Sequence, residues 1–135
     1  MPVLHDILVA IRSDADIVLA RQQGRSLAAA IGFTATDATL IATAISELAR
    51  NIVTYAGQGE VMMGGVETSH RKGIVICARD NGPGIRNIQD VLRDGYSTSG
   101  GLGLGLPGVR RLMDEFAIES ELRRGTAVTV RKWLR

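Results

Sequence analysis

Two glycine-rich turns, Asp80-Asn81-Gly82-Pro83-Gly84 and Gly100-Gly101-Leu102-Gly103-Leu104-Gly105-Leu106-Pro107-Gly108, restrict most strongly what this chain can fold into. The first ends an apolar, strand-like run. The second opens directly onto a helical pattern, where Pro107 is tolerated because a first-turn residue needs no N–H. Val109, Leu112, Met113 and Phe116 supply that helix with a packing face. Gly103, Gly105 and Gly108 match the Gly-x-Gly-x-x-Gly dinucleotide fingerprint, but the fingerprint requires a strand immediately before it. Here Asp94-Gly95-Tyr96-Ser97-Thr98-Ser99 is polar and turn-like, which rejects a dinucleotide fold, and no Gly-Lys-Ser/Thr follows for a Walker loop. What remains is a glycine-rich loop feeding a helix N-terminus, where free N–H groups and the helix dipole favour phosphates. Ser97, Thr98 and Ser99 add hydroxyl donors.

The rest of the chain reads as βααββ(α)αββ. A strand spans Asp6 to Arg12, and Ser13 or Asp14 is placed to cap the next element. From Ala15 to Ile31, the residues Ile17, Ala20, Gly24, Leu27, Ala28 and Ile31 recur at helical spacing, and Gly32 is the stop signal. Thr36 or Asp37 opens a second helix with the stripe Ile41, Ile45, Leu48 and Ile52, ended by Gly57. Runs from Glu60 to Glu67 and Gly73 to Asp80, joined by Thr68-Ser69-His70-Arg71-Lys72, predict an antiparallel hairpin. A short helix is expected from Asn87 to Arg93. The closing strands run from Ala117 to Leu122 and Thr126 to Trp133 around Arg123-Arg124-Gly125. Clustered strands of this kind predict an α+β two-layer sandwich, with residues 1–135 as a single domain.

Glu47 and Asn51 lie four residues apart on the second helix, on a face rotated roughly 80 to 120 degrees from its stripe at 3.6 residues per turn. They are expected to flank the core rather than join it. A carboxylate there is a candidate base for a hydroxyl or water during phosphoryl transfer, although without the downstream loops a solvated helix glutamate is the preferred reading. Asn51 offers a neutral oxygen that binds Mg2+ without adding negative charge beside a triphosphate. Arg50 can pair with Glu47 or with phosphate. Asp80 ends its strand at Gly82-Pro83-Gly84, where absent side chains let a flat ring approach while the carboxylate accepts from an exocyclic amino group, as adenine would provide. Taken alone, Asp80 reads as well as a structural Asx turn.

Composition narrows the alternatives. No apolar run approaches the roughly 18 residues of a membrane span, and the start Met1-Pro2-Val3-Leu4-His5-Asp6 lacks the pattern of a secretory signal, so a cytoplasmic address is expected. The 16 basic and 14 acidic residues are intermixed and only 4% of residues are aromatic, which argues against nucleic acid. Cys77 sits in the apolar run Ile74-Val75-Ile76-Cys77-Ala78 and reads as a small buried hydrophobe. His5 and His70 have no ligand-spaced partners.

Together, Glu47-Leu48-Ala49-Arg50-Asn51, Asp80-Asn81-Gly82-Pro83-Gly84, Gly101-Leu102-Gly103-Leu104-Gly105 and Gly125-Thr126 resemble the ordered boxes of the GHKL ATPase superfamily, with its Bergerat fold. Within it, Ile45 to Asn51, Gly95 to Gly103, Gly105 to Phe116 and the closing Lys132-Trp133-Leu134-Arg135 resemble the serine/threonine switch kinases of bacterial stressosomes. The resemblance implies a mixed, mostly antiparallel sheet covered by helices on one face. It implies Glu47 as general base, Asn51 as Mg2+ ligand, Asp80 as adenine reader, Gly82 and Gly84 as ring-side backbone and Thr126 as a base-side hydroxyl. Arg50, Ser97, Thr98, Gly101, Gly103, Leu104 and Gly105 complete the implied ATP site. The implied partners are STAS-domain antagonist and stressosome scaffold proteins, which are phosphorylated, and a metal-dependent serine phosphatase, which the released kinase activates. No basic residue lies between Gly95 and Gly108 to hold a γ-phosphate, which leaves Arg50, Arg110 or a partner for that charge.

Two other functions fit the same boxes: an anti-sigma factor kinase that also sequesters a sigma factor, and a non-catalytic module that uses ATP only for conformation while activating a phosphatase. A histidine-kinase catalytic domain fits less well, because no phosphoacceptor-histidine helix pair precedes the boxes.

Overall fold

A computed structural model describes residues 7–82, 105–121 and 124–135. Strand β1 (Ile7–Ile11) leads into helices α1 (Asp14–Ile31) and α2 (Ala35–Tyr55). The hairpin β2 (Gly59–Glu67) and β3 (Lys72–Asp80) follows, then helix α3 (Gly105–Leu112) and the hairpin β4 (Glu115–Glu121) and β5 (Gly125–Trp133). The expected helix from Asn87 to Arg93 lies outside the described residues.

The five strands form one sheet in the order β1-β2-β3-β5-β4. All four pairings are antiparallel, a more regular arrangement than the mixed sheet expected. Strand alternation sends Val9, Ile11, Val61, Met63, Ile74, Ile76, Ala78, Val128 and Val130 to one face. There they join the apolar stripes of α1 and α2 in the main core. Phe116 also reaches this core, but from β4 rather than from the helix expected to carry it. Among the described residues, the buried apolar side chains of the opposite face form the small cluster Val66, Val75 and Trp133, and Leu8 there is 62% exposed.

The helix ends follow local chemistry. Ser13 precedes α1 in extended conformation but makes no side-chain cap; Asp16 instead reaches back, accepting from the Arg12 N–H at 2.8 Å. Thr34, two residues before the expected position, caps α2 by accepting from the Asp37 N–H at 3.1 Å. Gly24 lets α1 approach α2, since a Cβ there would overlap the Ile45 side chain. The stripe Ile41, Ile45, Leu48 and Ile52 is buried as expected. Helix α2 is central, with α1 on one flank and α3 on the other. Among the described residues, no helix is long and apolar enough to cross a membrane.

Candidate functional site

The central place of α2 corrects one expectation. Glu47, expected beside the core, is only 1% exposed, because neighbouring helices cover the flank of the stripe as well as the stripe itself. Its Oε1 accepts from Arg50 Nη1 at 2.7 Å, so the pairing alternative for Arg50 is the one realised here. Its Oε2 is buried without a partner among the described residues, and so is Asn51 Oδ1, one turn later on the same face. Leaving a buried acceptor unmet costs about 1–3 kcal/mol, more for a charged one. Two such acceptors one helical turn apart call for a donor or cation beyond the described residues.

Glu47 also lines a cavity of about 380 Å³ between α1 and α2, together with Asp14, Ile17, Val18, Arg21, Thr43, Ser46 and Arg50. That cleft carries both signs of charge. Asp14 and Arg21 were not singled out in the sequence. Their position opposite Glu47 depends on how α1 packs, which no local motif encodes.

Asp80 ends β3 on the helix-facing side, in register with Thr126 of β5 and Gly59 of β2. Its Oδ1 accepts from the Gly82 N–H at 2.8 Å, so the Asx turn is real. The turn engages Oδ1 and not Oδ2. Gly125, at φ +100, packs so closely on Asp80 that a Cβ would overlap its carbonyl oxygen. Thr126 Oγ1 lies 2.9 Å from Ser120 Oγ. Ser120 was missed in the sequence, although a hairpin turning at residues 123–125 sets position 120 opposite 126. A larger cavity of about 860 Å³ meets this end of the sheet, with Asp80, Asn81, Ser120, Gly125 and Thr126 among its lining.

Asp80, Gly82 and Thr126 therefore gather where Ala56, at the end of α2, meets the ends of β3 and β5, while Glu47, Arg50 and Asn51 sit on earlier turns of α2, the first two on the cleft toward α1. Gly105 is the first residue of α3, which packs on α2. Gly84, Ser97, Thr98, Gly101, Gly103 and Leu104 lie outside the described residues. No group of three or more His, Cys, Asp or Glu side chains that could hold a metal occurs among the described residues. A Mg2+ ion carried with a triphosphate has no need of one, because phosphates and water supply most of its ligands. The unmet neutral oxygen of Asn51 fits such an ion.

Comparison with known proteins identifies the family. The model of the histidine kinase-like ATPase domain matches residues 12–132. Serine/threonine-protein kinase RsbT of Bacillus subtilis (strain 168) is 54% identical over 127 residues, covering 94% of this chain and 96% of its own length. The anti-sigma F factor of Priestia megaterium is 30% identical over 104 residues, covering 73% of this chain and 71% of its own length. That of Clostridium kluyveri is 27% identical over 100 residues, covering 71% and 70%. The chain belongs to the histidine kinase-like ATPase family, on its serine/threonine-protein kinase branch.

Proposed function

We propose that this chain acts as one ATP-binding kinase domain, a cytoplasmic switch kinase that moves the γ-phosphoryl group of Mg2+-ATP to a serine or threonine of a STAS-domain antagonist or stressosome scaffold. Once released, it binds and activates a metal-dependent serine phosphatase. The observation that carries the reading is the buried Glu47, its Oε2 unmet, on the wall of the α1/α2 cleft and one turn from Asn51, whose Oδ1 is unmet as well. The partner hydroxyl enters the cleft and gives its proton to Glu47 Oε2 as its oxygen bonds to the γ-phosphorus. The bond from that phosphorus to the β-bridging oxygen breaks, and ADP leaves with the electron pair. Arg50 holds Glu47 through Oε1, which directs Oε2 at the incoming hydroxyl.

In this reading Asp80 Oδ2 accepts from the adenine amino group, with Thr126 and the Gly82 backbone beside it. Gly105 belongs to the phosphate side, and Gly84, Ser97, Thr98, Gly101, Gly103 and Leu104 keep the ATP-site roles that the family resemblance implies. Asn51 would hold Mg2+, which when bound neutralises charge on the phosphates.

Labelled ATP, a STAS-domain partner and the purified protein test this reading. Phosphoserine or phosphothreonine should form on the partner, and Glu47→Gln should slow transfer by about 10²–10⁴-fold, the usual contribution of a positioned base. Absence of phosphorylation in the wild type, or undiminished transfer by Glu47→Gln, rejects it. The anti-sigma F relatives support a second reading, an anti-sigma kinase, over a smaller share of the chain. Recovery of a sigma factor rather than a phosphatase or scaffold in a pull-down would select it.

A further inference from the structure

The two walls of the cleft beside Glu47 differ in what they offer. On the α2 wall, Thr43 Oγ1 donates to the Thr39 carbonyl and Ser46 Oγ to the Ala42 carbonyl, each at 3.0 Å. A hydroxyl carries one hydrogen, so both present only lone pairs to the cleft, as the unmet and buried Glu47 Oε2 does. On the α1 wall stand Asp14, Val18 and Arg21. Spaced by four and then three residues, they form a line along one side of the helix, with the two charges about 10 Å apart along its axis at 1.5 Å per residue. Val18 between them is 42% exposed. Asp14 and Arg21 are exposed, and neither side chain makes a hydrogen bond or ion pair among the described residues. The other cation of the cleft, Arg50, is engaged by Glu47.

We propose that the α1 wall selects the protein substrate by charge: the segment that brings the phosphoacceptor hydroxyl to Glu47 carries a basic residue for Asp14, an acidic residue for Arg21 and an apolar residue over Val18. This rests on the kinase reading above and names the substrate feature which that reading leaves open. The α2 wall takes hydrogens, from the phosphoacceptor hydroxyl and from N–H groups of the incoming segment, and these carry no information about the side chains around the hydroxyl. The line of anion, apolar group and cation on α1 does, because a segment with the two signs exchanged sets like charges against each other at both ends, and such juxtaposition is strongly unfavourable in an interface.

Initial rates of phosphoryl transfer to a STAS-domain partner, measured against partner concentration at saturating Mg2+-ATP, test the proposal. Arg21→Glu and Asp14→Lys should each raise the KM for the partner by about tenfold, with kcat changed by less than about twofold. Arg21→Lys keeps the charge and should stay within about threefold of the wild type. Added salt should raise the wild-type KM more steeply than that of Arg21→Glu, because the lost attraction is screened. Calorimetry with Mg2+-ATP should give the wild-type affinity for all three variants. If a charge reversal fails to fold, Arg21→Gln or Asp14→Asn takes its place, with an expected rise of about threefold. An unchanged partner KM in folded variants at both positions overturns the docking role and leaves the kinase reading standing. Weakened ATP binding in Arg21→Glu also overturns it, by assigning this wall to the nucleotide. No phosphorylation of the partner by the folded wild type overturns both readings.

Discussion

Strands β3 and β5 run side by side from one end of the molecule to the other, and their two ends treat polar groups in opposite ways. At the end marked by Gly73 and Trp133, polar groups close on each other. The Trp133 N–H donates to Asp114 Oδ2 at 2.8 Å and its Nε1 to Glu115 Oε2 at 2.6 Å. Lys132 Nζ donates to the Leu112 carbonyl, Arg135 pairs with Asp114, and the Arg71 guanidinium lies 4.2 Å from the centre of the indole ring. The unmet buried atom there, Arg131 Nε, is a donor whose guanidinium faces Glu115 at 3.9 Å. At the end marked by Asp80 and Thr126, where the last turns of α2 arrive, the unmet buried atoms are acceptors on Glu47 and Asn51. Apart from that one donor, the polar groups of the Gly73 and Trp133 end meet each other. The other is completed only by something that brings hydrogens or positive charge, so stability and binding are supplied by different ends of the same two strands.

The largest effect expected from that division is on folding. Trp133→Ala removes the centre of the small cluster with Val66 and Val75 and should cost about 3–5 kcal/mol, as large-to-small core changes do. The rise in melting temperature on adding Mg2+-ATP should survive unchanged. Asp80→Asn should do the reverse. It keeps an oxygen for the Gly82 N–H, so the turn persists, but it replaces the second acceptor with a donor. Stability without ligand should move by less than about 1 kcal/mol. The stabilisation that ATP gives the wild type, about 2.7 kcal/mol at a hundred times Kd, should be lost. Thermal melts of both variants, with and without nucleotide, check the pair. A ligand-induced shift lost in Trp133→Ala and kept in Asp80→Asn would reverse the assignment of the two ends.

How much of this was legible beforehand depends on whether the signal was local. The stripe Ile41, Ile45, Leu48 and Ile52 has helical period, and it is buried. The β2/β3 hairpin announced itself by two apolar runs around a polar turn, and Thr68 closes that turn by accepting from the Arg71 N–H at 2.9 Å. The spacing of Glu47 and Asn51 was visible for the same reason. The burial of Glu47 was not, because a position beside the stripe of an isolated helix faces water, and tertiary packing removes it. The cap of α2 was placed too late because Thr36 and Asp37 compete with Thr34 on composition, and backbone geometry decides: Thr34 is extended, with ψ 163. Asp14 and Arg21 in the cleft, and Ser120 beside Thr126, depend on packing and on strand register. Neither leaves a trace in the spacing of one segment.

The smallest expected effect separates the end of the sheet from its face. Arg79 is the neighbour of Asp80 in the chain, yet strand alternation turns it to the opposite side, where it pairs with Glu60 at 2.6 Å. Both side chains are substantially exposed, 51% and 37%, so the pair is screened by water and Arg79→Ala should cost less than about 1 kcal/mol. It should leave the ATP-induced shift in melting temperature intact. Both residues nevertheless line the 860 Å³ cavity that meets the end of the sheet. Loss of the nucleotide-induced shift in Arg79→Ala, comparable with that of Asp80→Asn, would mean that the ligand reaches round the strand ends onto the uncovered face. Helix-side groups would then form only part of the site, and the charges of Glu60 and Arg79 would belong to it.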